Sequence, residues 1–200
     1  MPRQYPSVER EDWNRKHASG EHHFGGLPNR FLVAEAGGLP PGRALDLACG
    51  EGRNAVWLAE RGWHVTGVDF SDVALAGARR LAADRDVDVD WLEADLRECV
   101  PEEAAYDLVT VLYLQLPSDE RRTVLERAAR AVAPGGTLLV VGHDLENLEH
   151  GVGGPRDPRV LFTPEEIAAE LPGLRIEKAE RVLRDGAIDA LVRAQRPDAS

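Results

Sequence analysis

Cysteine is nearly absent. Only Cys49 and Cys99 occur in 200 residues, too few and too far apart for a disulfide framework or a thiolate zinc site. Long hydrophobic runs are missing as well: none approaches the ~18 residues of a membrane span. The opening Met1-Pro2-Arg3-Gln4-Tyr5-Pro6 leads into charged residues rather than the apolar stretch of a secretory signal. The expectation is a soluble, cytoplasmic chain with no membrane partner. Positive charge is in deficit, with 24 Lys and Arg against 35 Asp and Glu and a formal charge of −11. Such a surface repels phosphate backbones and anionic lipid. No Lys/Arg run interleaved with aromatics offsets this, so nucleic acid is not an expected partner. Repeats and low-complexity tracts are also absent. The length suits one domain over 1–200, with 1–28 as an N-terminal cap or lid and 29–196 as the core.

What is present centres on one stretch. Arg43-Ala44-Leu45-Asp46-Leu47-Ala48-Cys49-Gly50-Glu51-Gly52-Arg53-Asn54-Ala55 is an apolar strand running into a glycine turn and then a helix. Glycines at 50 and 52 let the backbone turn tightly, and the next helix points free N–H groups toward whatever lies in the gap. A Gly-x-Gly turn alone is common, and two acids sharpen it. Asp69 ends the next strand, Trp63-His64-Val65-Thr66-Gly67-Val68-Asp69, seventeen residues beyond Gly52. That is near where ribose-binding carboxylates stand after such loops. Asp46 lies inside the first strand, where a phosphate would be repelled and a cationic cofactor attracted.

The segment Leu45-Asp46-Leu47-Ala48-Cys49-Gly50-Glu51-Gly52, with Val68-Asp69 and a later Ala133-Pro134-Gly135-Gly136, resembles the S-adenosylmethionine (SAM) methyltransferases of the Rossmann-like class. The likeness covers about residues 29 to 196. Within that class, Gly52-Arg53-Asn54-Ala55, Leu58-Ala59 and Gly62 resemble small bacterial enzymes related to tellurite-resistance and thiopurine methyltransferases. The resemblance implies an α/β three-layer sandwich with a doubly wound, mostly parallel seven-stranded sheet and a C-terminal antiparallel hairpin. It implies SAM as cofactor and no metal. Asp46 would hold the methionine ammonium region, and Ala48, Gly50, Glu51, Gly52 and Asn54 would form the loop. Asp69 with Phe70 would meet the ribose, Asp95 and Leu96 the adenine, and Leu112 would close the pocket. Ala48 stands where the class usually has glycine, and its methyl group crowds the methionine end.

Residues 8–18 read as a short covering helix anchored by Val8 and Trp13. The stretch 20–26 joins hinge glycines to His22, His23 and Phe24, as a flap or a connector would. His17 stands nearby, but no Cys or carboxylate joins these histidines at metal-ligand spacing. Pro28 fits the first turn of a helix over 29–36, ended by Gly37-Gly38. A helix over 54–61 stops at Gly62, and Ser71 caps another that reaches about Asp84. Residues 88–95 alternate as an edge strand, and 106–112 form a buried fourth strand delivering Tyr113, Leu114 and Gln115 to the ligand side. Ser118 caps a helix to about residue 133 whose Arg121, Arg122, Arg127 and Arg130 form a solvated face. A fifth strand, 137–142, presents His143 and Asp144. The loop over 144–162 is long enough to act as a lid, and Asn147, His150 and its glycines read as part of a substrate cover. Thr163-Pro164-Glu165-Glu166 is a helix start. Residues 174–183 and 187–194 read as a hairpin turning at Asp185-Gly186.

The reaction implied is methyl transfer to a small-molecule acceptor, with a thiol or chalcogen compound favoured by the subgroup. Positioning would supply most of the rate. His143 is the first choice of base, since a histidine titrates near about 6.5; His23 and His150 are further candidates, and Tyr113 would steer the substrate. The chain lacks the Asn/Asp-Pro-Pro-aromatic motif of enzymes acting on amide or adenine nitrogens. Two alternatives stand beside this: a non-catalytic SAM-binding sensor, and an NAD-dependent oxidoreductase. Gly50-x-Gly52-x-x-Ala55 fits the dinucleotide pattern, but Asp46 would repel a pyrophosphate. Monomer and homodimer are both compatible with the sequence.

Overall fold

Strands form where β-branched and leucine residues run together, and their burial records how many faces are covered. Residues 44–47 are all buried, and so are 108–112 and 137–142, as expected of parallel strands covered on both sides. The computed structural model describes residues 9–18 and 26–198. Val8, His22, His23 and nearly all of the proposed flap lie outside the described residues. Seven strands are ordered β3-β2-β1-β4-β5-β7-β6: β1 Arg43–Leu47, β2 His64–Asp69, β3 Asp90–Glu93, β4 Tyr106–Leu112, β5 Val132–His143, β6 Arg175–Arg184 and β7 Ala187–Gln195. The chain divides after Cys99 into two compact units.

In the first unit β1 pairs parallel with β2, and β2 with β3. Helices α1 Arg10–Ala18, α2 Arg30–Ala36, α3 Arg53–Ala59 and α4 Asp72–Asp84 accompany them. Asn29 is the N-cap of α2, its side chain accepting from the Phe31 and Leu32 N–H groups, so Pro28 precedes the cap rather than opening the helix. Ser71 caps α4 as expected, accepting from Ala74 N. β3 is the short edge strand.

In the second unit β4 and β5 are parallel, whereas β7 runs antiparallel to both β5 and β6. The hairpin turn has Asp185 at φ 51° and Gly186 at φ 85°, the two left-handed residues that match strand twist. Helix α5 Ser118–Ala131 has Pro117 rather than Ser118 at its N-cap. β5 starts at Val132, earlier than Pro134-Gly135-Gly136 implied, because that triplet is an excursion: Tyr106 pairs with Val132, and the register resumes at Leu108 with Thr137. Two short helices follow, α6 Asn147–His150 and α7 Pro164–Ala169. Thr163 and Glu166 form the capping box of α7.

One helix face differs from the sequence reading. Arg121 is buried, donating from Nε and an Nη to the two carboxylate oxygens of buried Glu170 at 3.1 and 2.9 Å. Its guanidinium also stacks 5.1 Å from the Phe162 ring. A helix pattern marks Arg121 as exposed because its partner lies 49 residues away.

Candidate functional site

The turn after β1 is built from alternating left-handed residues: Ala48 at φ 58°, Gly50 at 54° and Gly52 at 78°. A non-glycine residue in this region costs about 1–2 kcal/mol, so Ala48 is held there by its surroundings. The two glycines serve different ends. Among the described residues a side chain at Gly50 would meet only His17 Cε1, at 3.9 Å. A side chain at Gly52 would sit 2.6 Å from the Trp91 indole and 2.8 Å from Ala78 Cβ. Gly52 therefore admits Trp91 behind the loop. Gly67, Trp91's register neighbour on β2, does the same, with the indole 2.6 Å from where its Cβ would be.

Asp69 ties the loop together. One carboxylate oxygen accepts from Gly50 N at 2.8 Å and the other from Ser71 N at 2.9 Å. Burial pushes its pKa above the usual 3.8, against the pull of the N–H groups of Ser71, Gly50 and Phe70 and of nearby His17. Each oxygen retains capacity for another donor, and among the described residues its hydrogen-bond donors are backbone N–H groups. A vicinal diol, offering two O–H donors, fits this carboxylate. Asp46 is buried in β1, and Cys49 beside it is a packed thiol whose pKa is pushed up by burial and by Asp69 and Asp46.

Other predicted contacts are already engaged. Asn54 Oδ1 accepts from Asn29 N at 2.8 Å, fastening α3 to the start of α2. Glu51 Oε1 lies 3.0 Å from His17 Nδ1. Asp95 receives Arg97 from its backbone N–H, Nε and an Nη at 2.6–3.0 Å. These Arg97 bonds hold the Asp95 carboxyl below its usual value despite the opposing effect of burial. An adenine amine would have to displace Arg97 to reach it. Leu96 is buried beside it, Phe70 half-buried, and Leu112 buried at the end of β4.

Helix α1 covers this region by polar contacts. His17 reaches Glu51, Asn14 takes the Ser71 hydroxyl at 2.5 Å and donates to Asp72 at 2.8 Å, and Arg10 pairs with Glu93 at 2.7 Å. None of its residues is buried.

The second unit holds a separate polar constellation. His143 ends β5 and pairs across the ladder with Asp189 of β7. Asp189 is fully buried. Its Oδ2 accepts the Tyr113 hydroxyl at 2.7 Å and Arg184 Nε at 2.8 Å, and the same Nε lies 3.0 Å from the Tyr113 oxygen. Its Oδ1 lies 3.1 Å from His143 Nδ1. That contact has the length of a hydrogen bond but is bent. Burial raises the Asp189 pKa, but the bonds from His143, Arg184 and Tyr113 outweigh it and leave the carboxyl below 3.8. Tyr113 sits at φ 60° with its ring centroid 5.1 Å from that of His143.

Asp189 was not among the expected site residues. The available signal was a lone acid inside Ala187-Ile188-Asp189-Ala190-Leu191, the same pattern that marks Asp46. Arg181, like Arg184, serves an internal carboxylate: its Nε lies 3.1 Å from Asp144. Asn147 is a brace, donating to Gly153 O and accepting from Ile188 N. His150 is exposed beside Glu149. Among the described residues, no group of three or more His, Cys, Asp or Glu is arranged to hold a metal ion, and no helix is long and apolar enough to cross a membrane.

This strand order, with its antiparallel hairpin and glycine turn after β1, defines a Rossmann-like methyltransferase fold. Residues 44–136 match the family described as "Methyltransferase domain". The chain is 32% identical over 119 residues to a ubiquinone biosynthesis O-methyltransferase of Cronobacter sakazakii, a match covering 59% of this chain and 49% of the relative. It is 37% identical over 116 residues to trans-aconitate 2-methyltransferase of Rhizobium meliloti, covering 56% and 43%. The chain spans about half the length of the curated relatives it matches. The crystal structure of TehB from Haemophilus influenzae superposes with a TM-score of 0.72 at 18% identity, covering 92% of this chain and 67% of that one.

Proposed function

We propose that the chain binds SAM on its first unit and transfers the methyl group to a small molecule. The Asp69 carboxylate carries this reading. It is buried, pinned to Gly50 and Ser71, bonded among the described residues only by backbone N–H groups, and placed at the end of β2 within the matched family segment. In this reading Asp69 and Phe70 meet the ribose, Asp46 faces the methionine ammonium region, and Ala48, Gly50 and Glu51 form the loop surface. Gly52 and Asn54 act from behind, by admitting Trp91 and by anchoring α2. Leu96 supplies apolar surface, and Asp95 reaches adenine only by exchanging Arg97.

When bound, the sulfonium supplies an activated methyl group, so the protein's task is to orient and to handle a proton. His143 is the proton acceptor and Tyr113 orients the acceptor molecule. The two relatives' names support a small acceptor. A thiol or chalcogen compound is the finer assignment suggested by the tellurite-type resemblance. The buried His143–Asp189 pair favours a second assignment, a hydroxyl that must lose its proton, because a thiol, with a pKa of about 8.5, is already partly ionised near neutrality. Calorimetric titration with S-adenosylhomocysteine and with NAD⁺ tests the cofactor. Binding of the first alone supports the reading, and binding of NAD⁺ alone overturns it. Turnover of 2-mercaptoethanol, tellurite and catechol with labelled SAM then separates the acceptor classes.

A further inference from the structure

We propose that Asp189 is a positioning residue for His143, holding the imidazole proton on Nδ1 so that Nε2 is the atom that receives a proton. This rests on the methyltransferase reading above and deepens it by naming the atom and its support. Three observations converge. Asp189 is fully buried on β7, directly opposite His143 in the ladder, so the backbone fixes the pair. Its Oδ2 is taken by Tyr113 and Arg184, which leaves Oδ1 facing His143 Nδ1 at 3.1 Å in a bent contact, and among the described residues neither atom has a well-aligned hydrogen-bond partner. The loop closes over the same nitrogen: a Cβ at Gly154 would lie 2.9 Å from His143 Nδ1 and 3.0 Å from Asn147 Nδ2. Nδ1 is therefore shut away beside a carboxylate, and Nε2 is the ring nitrogen left for chemistry.

A carboxylate accepts and cannot donate, so a neutral imidazole in this position keeps its proton on Nδ1, and the other nitrogen presents a lone pair. On proton transfer Nε2 gains the acceptor's proton, the ring becomes an imidazolium, and the Nδ1 proton stays where it was. Asp189 remains ionised and stabilises the cation. The proton then leaves Nε2 to water. Arg184 and Tyr113 act on the other oxygen, fixing the carboxylate's rotation so that Oδ1 cannot swing away from the ring.

The test reads the tautomer directly in the protein alone. Two-bond hydrogen–nitrogen correlation spectra of ¹⁵N-histidine-labelled protein are recorded at about pH 8, above the ordinary histidine range, with His143 assigned from the signals lost in His143→Gln. The expected result is the Nδ1–H form in the wild type and the Nε2–H form in Asp189→Asn, whose amide can donate to Nδ1. An Nε2–H form in the wild type, or an unchanged spectrum in Asp189→Asn, overturns the proposal. If that variant does not fold, the wild-type tautomer still decides, and Tyr113→Phe, which leaves Oδ1 untouched, should retain the Nδ1–H form. S-adenosylhomocysteine titration runs in parallel. Failure of the wild type to bind it removes the methyltransferase reading, whereas a wrong tautomer with binding intact removes this proposal alone.

Discussion

Asp69 in the first unit and Asp189 in the second are both buried carboxylates at the ends of strands, yet their environments push them in opposite directions. Asp69 is held by backbone N–H groups, and burial raises its pKa; Asp189 is held by Arg184, Tyr113 and His143, which outweigh burial and lower it. Among the described residues the first is bonded by backbone N–H groups alone, which keeps lone pairs for the ligand proposed for it. The second is internally neutralised, as a group that orients another residue should be. Burial alone does not reveal a carboxylate's role, but the chemistry of its donors does.

The contrast extends to how each unit is braced, and the largest test lies in the second. Arg121→Met strands Glu170 without its buried cation and should cost about 3–5 kcal/mol in urea denaturation, whereas Arg121→Met with Glu170→Leu should recover most of that loss. Recovery of nothing would mean that the Phe162 stack, not the ion pair, is what Arg121 supplies. In the first unit Asp69→Ala removes the acceptor that joins Gly50 to Ser71. S-adenosylhomocysteine affinity should fall about 100-fold, or about 2.7 kcal/mol, by calorimetry. Unchanged affinity would erase the distinction between the two acids.

Acid titration sharpens the same comparison through its sign. A lowered folded pKa makes Asp189 stabilising above about 3.8, and that contribution is lost as pH falls through the lower folded value. A raised one makes ionised Asp69 a cost above about 3.8, relieved as pH falls through its higher folded value. Thermal melts from acid to neutral pH should therefore show the deficit of Asp189→Asn shrinking toward low pH and that of Asp69→Asn growing. Parallel curves would remove the assigned difference. The smallest effect belongs to Ala48→Gly, which relieves a left-handed alanine. After the entropy cost of glycine it should stabilise by up to about 1 kcal/mol, read as a small rise in Tm.

Much of the frame was legible because its signals are local. β4 follows from one apolar run, the hairpin from Asp185-Gly186, and the caps of α4 and α7 from Ser71 and from Thr163 with Glu166. The loop with Asp46 and Asp69 was legible for the same reason. What escaped depends on partners distant in sequence. Arg121 was assigned to solvent because Glu170 lies 49 residues away at the C-cap of α7, and that Gly52 also admits Trp91 was hidden because the indole lies 39 residues on. That Asn147, read as part of a substrate cover, also staples its loop to Ile188 was not legible either. Asp189 carried the same lone-acid signal as Asp46, but no glycine turn beside it drew attention to the strand.

Helix α1 is held to the loop region by hydrogen bonds and half-buried side chains, with the His17 side chain nearly enclosed. Its opening therefore uncovers far less surface than the melting of a buried strand. In hydrogen-exchange language it belongs near the bottom of the stability ladder. Its amides should exchange with a weaker dependence on denaturant than those of β1 or β4, because an opening that exposes less surface has a smaller m-value.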